Sequence, residues 1–316
     1  MYLDYYHLKE EPFRLTPDPK FLQLPETHRE ALTMLVRGVL DRSGLMLLTG
    51  AIGTGKTTIL NGFLSVVARC HPTKPVPTAF IVNPRLTADE FLEMLLLEFE
   101  VPCGSNSRPA RLSALERLLF CTCSGGSTCL LVVDEAHLLS NDVLEEIRLL
   151  MNTETYKEKL LQVVLCGQPE ICEVVNDPAV KALRQRIAGR AHLRSLSQSE
   201  MRMYISERLR TAGLEQANPF SFAALDRVYD FTGGVPRLVN ILCNTCLAIG
   251  SETCRAKIGN DIVEEAAARH EMSDTGLAGR IAGPVVSPDK DSGARIPGQW
   301  VGSSINEAKA ANQGEM

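Results

Sequence analysis

Residues 45–57 read LMLLTGAIGTGKT, a short apolar run followed at once by a glycine-rich segment that ends in Lys56 and Thr57. The segment matches G-x-x-x-x-G-K-[ST], and the stretch after it has the apolar spacing of a helix. Such a loop binds anions, because its N–H groups and the helix N-terminus face the same phosphate. We expect Lys56 to bind the β- and γ-phosphates of a nucleotide and Thr57 to bind a magnesium ion. The predicted nucleotide-binding residues of the loop are Gly50, Ala51, Ile52, Gly53, Thr54, Gly55, Lys56, Thr57 and Thr58.

A second apolar run, CLLVVDEAHLL, places Asp134 at the end of a predicted buried strand. A buried carboxylate without a cation is costly, and a magnesium ion would remove that cost. We therefore predict that Asp134 binds magnesium together with Thr57, and that Glu135 is the general base for the attacking water. The alternative is that both acids only cap the following helix. His137 is interpreted as a surface residue at the start of that helix, without a chemical role.

Two further predicted strands end in polar residues, Asn83 and Gln168. The carboxyl ends of parallel strands meet at one edge of a sheet, where ligands bind. We expect Gln168 to sense the γ-phosphate or to orient the water, and Asn83 to restrain Glu135 until a partner engages. Spacing alone is equally consistent with two ordinary turn residues.

Arginines form the last group of candidates. The segment 178–199 contains no acidic residue, and its basic residues are Lys181, Arg184, Arg186, Arg190 and Arg194. Three interpretations are open for this block: an arginine finger for the nucleotide site of an adjoining subunit, a nucleic-acid-binding stripe, or a solvated helix face. Arg237 follows the turn sequence GGVP before a predicted helix. It either clamps the nucleotide or simply begins a solvated helix.

Buried apolar runs alternate with amphipathic stretches along the first part of the chain, which predicts an α/β fold with a parallel sheet flanked by helices. The predicted strands are residues 45–49, 78–83, 129–134 and 161–166. From Ser197 onward only helical patterns remain, starting with a Ser cap and a Glu three residues later. The sequence therefore predicts a nucleotide-binding domain over residues 1–196, a small all-helical lid domain over 197–271 and a disordered tail over 272–316.

Composition narrows the class of protein. With 45% hydrophobic and 22% charged residues in 316, the chain has the composition of an ordinary globular protein, and a net charge of -5 gives no overall basic field for nucleic acid or anionic lipid. The N-terminus lacks the charged start and apolar run of a signal peptide, and no apolar run approaches the roughly 20 residues of a membrane span. We expect a soluble, cytoplasmic protein without a membrane span.

Taken in order, GAIGTGKTT, VVDEAHLL, LCGQPE, LRQRI and GGVPR resemble the AAA+ P-loop ATPases of the general secretion pathway protein A group, the ExeA-like proteins. The opening YYHLKEEPFRLTPDPKFLQLPETHREAL is also similar, so that the resemblance covers residues 1 to about 270. By position, the resemblance implies the following roles: Asp134 and Glu135 as the Walker B pair, Gln168 as sensor one, Arg237 as sensor two, Asn83 as the residue that restrains the glutamate, and Arg186 or Arg190 as the finger. It also implies that residues 1–30, with Pro12, Phe13 and His28, lie near the adenine.

The resemblance implies a function as well. We expect an ATPase that uses ATP and Mg²⁺ to drive a conformational change in a partner assembly, an envelope machine for secretion, pilus formation or polysaccharide export. It would be a short soluble member of its group and a homo-oligomer whose arginine finger acts in trans. The alternative is a DNA-associated regulatory ATPase of a transposition-type system, supported by the basic block. The overall negative charge favours the first.

Overall fold

The computed structural model describes residues 2–15, 25–71, 74–154 and 158–273. Its centre is a five-stranded sheet in which every strand pair is parallel, with the order β2-β3-β4-β1-β5. The predicted tail over 272–316 lies outside the described residues except for its first two positions. The strands are β1 (Leu45–Gly50), β2 (Thr78–Ile81), β3 (Cys129–Val133), β4 (Leu161–Gly167) and β5 (Ile187–Leu193).

Helices precede, connect and follow these strands. None of them, within the described ranges, is both long and apolar enough to cross a lipid bilayer. The helices are α1 (Tyr2–Tyr5), α2 (Glu26–Leu40), α3 (Lys56–Cys70), α4 (Ala88–Glu98), α5 (Arg108–Ser124), α6 (Asn141–Leu150), α7 (Ile171–Asn176), α8 (Lys181–Arg184), α9 (Gln198–Thr211), α10 (Phe222–Thr232), α11 (Pro236–Glu252) and α12 (Asn260–Arg269).

The sheet is covered on both faces, which explains why its central strands are continuous apolar runs. Successive side chains of β1 point to opposite faces. Leu45 and Leu47 pack with helices α4 to α7, whereas Met46 and Leu48 pack with α2 and α3. The α/β fold with a parallel sheet flanked by helices, predicted from the alternation of patterns, is confirmed.

The strand β5 was not predicted, because its burial is that of an edge strand. Its residues alternate between partly buried and exposed, and only Leu193 is buried. The exposed positions include Arg190 and His192, whose polarity hides the strand signal. The basic block is therefore not one helix face: Lys181 and Arg184 lie in the single turn of α8, and Arg190 lies on a strand.

Beyond the sheet, α9 to α12 pack around their own apolar core. Helix α9 begins at the predicted cap, where Ser197 and Glu200 form a capping box. The same core also holds Tyr6, Leu8 and Phe13 from the start of the chain. The sequence-based division placed residues 1–30 in the nucleotide-binding domain, whereas the apolar side chains of residues 6–13 belong to the core of the helical region.

Candidate nucleotide-binding site

The glycine-rich loop connects β1 to α3 and is closed by its own hydrogen bonds. Gly53 and Gly55 have φ angles of +79° and +98°, and a residue with a side chain would be strained in this conformation. The Lys56 Nζ donates to the carbonyl oxygens of Gly50 at 2.8 Å and Ala51 at 3.1 Å, so the buried ammonium lies inside the curve of the loop. Its charge and the N-terminus of α3 both face the region where a phosphate group would bind.

Two elements outside the sheet contact this loop. The imidazole Nε2 of buried His28, on α2, lies 2.7 Å from the carbonyl oxygen of Thr54. Burial lowers the pKa of His28, so the ring is neutral and donates through Nε2–H. From the helical region, the backbone N–H of Arg237 donates to the Gly53 carbonyl oxygen at 3.2 Å. The side chain of Arg237 is exposed.

The predicted magnesium residues are neighbours in the structure. The Thr57 hydroxyl donates to Oδ2 of Asp134 at 3.2 Å, and the backbone N–H of Glu135 donates to Oδ1 at 2.9 Å. Asp134 is only 4% exposed. Mg²⁺ in nucleotide sites binds one or two carboxylates together with phosphate and water oxygens, and this hydroxyl and carboxylate are ligands of that kind. The residues present therefore fit the ion.

Glu135 lies beside a residue to which the sequence assigned no role. Its carboxylate Oε2 is 3.4 Å from Nδ1 of His137. The other ring nitrogen of His137, Nε2, is 3.2 Å from the side-chain Nε2 of Gln168. The structure thus brings Glu135 and Gln168 together through His137. No sequence signal identified this, because spacing alone cannot show that a side chain reaches the next strand.

Among the described residues, the remaining candidates make no recorded contact with this group. Asn83 follows β2 and is exposed, and it makes no hydrogen bond to Glu135 in the described part of the chain. The Arg186 guanidinium contacts the Arg148 carbonyl oxygen and the Asn152 side chain of its own subunit. Arg190 is exposed on β5. The roles of these residues stay predictions.

The order of the sheet explains how residues distant in sequence meet. Strands β2, β3, β4 and β1 are consecutive neighbours, and Asn83, Asp134, Gln168 and the loop each follow the carboxyl end of one of them. A parallel sheet binds its ligands at this edge. The loop with a buried lysine, the hydroxyl–carboxylate pair and the second acid define a P-loop nucleoside triphosphatase.

Comparison with known proteins gives the family. The AAA domain family matches residues 39–175. General secretion pathway protein A of Aeromonas hydrophila is 40% identical over 248 residues, which are 78% of this chain and 44% of that protein. These matches identify an AAA+ P-loop ATPase domain in this chain, which is similar to general secretion pathway protein A. It spans less than half the length of that relative.

Solved structures of low sequence identity share the fold. The ORC2 protein of Aeropyrum pernix matches with a TM-score of 0.63 and 16% identity, over 84% of this chain and 72% of that one. The RuvB branch migration motor of Thermotoga maritima matches with a TM-score of 0.55 and 18% identity, over 82% of this chain and 74% of that one. A parallel sheet with flanking helices and a helical C-terminal region is thus shared with these proteins.

Proposed function

We propose that this AAA+ ATPase binds ATP with Mg²⁺ and hydrolyses it in the cytoplasm to drive a conformational change in an envelope assembly. The observation that supports the catalytic part is the contact between Thr57 and Asp134 beside the buried Lys56. The proposed substrate supports a cytoplasmic location, because ATP is made and held in that compartment.

Each residue has a distinct task in this proposal. The Lys56 ammonium and the loop N–H groups bind the phosphates, and Thr57 and Asp134 hold the ion. Mg²⁺ would neutralise charge on the β- and γ-phosphate oxygens. Glu135 accepts a proton from the attacking water, and Gln168 contacts the γ-phosphate or that water. Arg237 reaches the nucleotide from the N-terminus of α11, and Asn83 restrains Glu135.

We further propose a homo-oligomer in which Arg186 or Arg190 acts on the site of the adjoining subunit. A guanidinium offers fixed donors that match phosphate oxygens, which suits either arginine to this task. The exposure of Arg190 supports it as a candidate. Arg186 would have to release its contacts with the Arg148 carbonyl oxygen in α6 and with Asn152 after that helix.

The proposed partner is an envelope machine, because the similar protein from Aeromonas hydrophila is a general secretion pathway protein. A DNA-associated regulatory role is the second candidate, and the basic block is its support. Part of that block is engaged within the chain: Arg194 forms an ion pair with Glu200 at 2.6 Å, and Arg186 contacts backbone and amide oxygens. This engagement makes DNA the weaker candidate.

Two substitutions test the proposed reaction. Lys56→Ala should abolish ATP binding, because no other charge replaces the ammonium at the phosphates. Glu135→Gln should keep ATP binding and lose turnover, because the amide is not basic. Binding would be measured by calorimetry and turnover by phosphate release, with Lys74→Ala and Glu116→Gln as exposed controls. Micromolar ATP affinity in Lys56→Ala, or normal turnover in Glu135→Gln, would contradict the assignment.

The choice between partners needs a separate measurement. Binding to duplex DNA through the basic block would weaken steeply with salt, because phosphate contacts release counterions. We expect turnover at low salt to be unchanged when duplex DNA is added. A large stimulation that disappears as salt is raised would favour the DNA-associated role.

A further inference from the structure

We propose that His137 is a positioning residue that couples Gln168 to the carboxylate of Glu135. The proposal rests on the proposed function, in which Glu135 is the general base and Gln168 contacts the γ-phosphate or the water. It adds a residue between them that orients the base according to the position of Gln168.

The ring of His137 reaches both partners with different nitrogens. Nδ1 lies 3.4 Å from Glu135 Oε2, and Nε2 lies 3.2 Å from Gln168 Nε2. A proton on Nδ1 lets the ring donate to the carboxylate and accept from the amide of Gln168. With the proton on Nε2, Nδ1 would accept from the Gln168 backbone N–H, 3.4 Å away, and the carboxylate would have no donor from the ring. The first tautomer serves both side chains and leaves the Gln168 backbone N–H without Nδ1 as its acceptor.

The backbone around the ring leaves room for this contact. Gly167, the last residue of β4, has no side chain, and a Cβ there would lie 3.1 Å from the His137 backbone nitrogen and 3.4 Å from Nδ1. The 3.1 Å contact is tight and involves the backbone, so a side chain at position 167 would disturb the turn that carries His137. The absence of a side chain at Gly167 therefore lets His137 pack against the end of β4.

Glu135 is also held in an uncommon conformation. Its φ angle is +51°, in the left-handed region that non-glycine residues seldom adopt. This conformation ends β3 sharply and begins the short 3-10 turn Ala136–Leu138, which carries His137. Strain of this kind persists where surrounding contacts fix it. The two residues therefore face each other because of the turn between them.

A merely structural histidine would stabilise the turn and leave the reaction step unchanged. A positioning residue instead changes turnover more than binding, because it acts on the base rather than on the phosphates. The side chain of His137 is 13% exposed, so smaller polar residues can be accommodated there. Asn and Gln provide partial replacements: Asn is short and can serve only Glu135, whereas Gln is long and can reach Gln168.

The experiment measures kcat, ATP affinity and thermal unfolding for His137→Ala, His137→Asn and His137→Gln. The control substitution is His270→Ala, because His270 is an exposed histidine that is hydrogen-bonded to the Thr245 hydroxyl. We expect His137→Ala to lower kcat by about 10-fold to 100-fold, a part of the roughly 10²–10⁴-fold that a positioned general base contributes. ATP affinity should stay within about twofold, and neither His137→Asn nor His137→Gln should restore full turnover.

A double-mutant cycle tests the coupling itself. If His137 and Gln168 act as one unit, His137→Ala combined with Gln168→Ala should lose little more turnover than the worse single variant. Multiplication of the two losses would overturn the coupling, and so would normal turnover in a folded His137→Ala protein. Failure of the proposed function looks different: turnover by the unmodified protein would then be absent, or Glu135→Gln would keep it.

Discussion

A methyl group added at Gly53 would test whether the helical region rests on the phosphate-binding loop. The Cβ of Gly53→Ala would lie 2.9 Å from the Arg237 Cβ and 3.0 Å from Cγ1 of Val235. Both neighbours belong to the start of α11, so the helix itself must shift. The perturbation therefore strains the loop and separates the helical region from it.

The expected loss of stability in Gly53→Ala has a backbone contribution and a packing contribution. Alanine at a φ of +79° costs about 1–2 kcal/mol, and loss of the glycine's freedom in the unfolded chain returns about 0.4–1 kcal/mol. Forcing a methyl group into packed surroundings adds about 1–3 kcal/mol. Gly126→Ala isolates the first contribution, because Gly126 has a φ of +83° and nothing lies within 4 Å of its Cβ position.

Urea unfolding and ATP binding would be measured on both variants. Gly126→Ala should lose about 1 kcal/mol of stability and keep its ATP affinity. Gly53→Ala should lose about 1–3 kcal/mol more, because its methyl group meets the start of α11. ATP affinity should also fall, because the methyl group disturbs the loop that binds the phosphates. Equal stability losses in the two variants, with unchanged ATP affinity, would refute the contact between the loop and α11.

Three further measurements follow from the site. The free energy of unfolding should fall as pH drops below about 6.5. Burial lowers the pKa of His28, so the unfolded chain binds a proton at a higher pH than the folded protein does. In urea titrations between pH 7 and 5, His28→Gln should show a smaller fall. Turnover per subunit should rise with protein concentration. One of Arg186→Ala and Arg190→Ala should be inactive, and mixing that variant with Glu135→Gln should restore phosphate release. No recovery would argue against a finger in trans. Burial raises the pKa of Cys166, and nearby Asp134 raises it further, so this thiol should resist alkylation until the protein is unfolded, as mass spectrometry of the labelled peptides would show.

The sequence predicted what depends on local pattern. The loop around Lys56 and the buried strand before Asp134 are local signals, and the structure contains both elements at those positions. The edge strand β5 was not predicted from the sequence, because its exposed positions carry polar residues such as Arg190. The contact of His137 with Gln168 was not predicted for a different reason. It joins the turn after β3 to the residue after β4, and only the order of the sheet brings these segments together.

The placement of Phe13 in the helical core has a consequence for dissecting the protein. Three hydrogen bonds also join the beginning of the chain to that region. The Tyr2 hydroxyl donates to the Asn244 side chain, the Tyr6 hydroxyl to the Arg255 carbonyl oxygen, and the Lys9 N–H to the Ala212 carbonyl oxygen. A fragment cut out at α9–α12 would lose these contacts and leave unfilled space in its interior. The start of the chain and α9 to α12 therefore share one apolar core, although the whole sheet lies between them in the sequence.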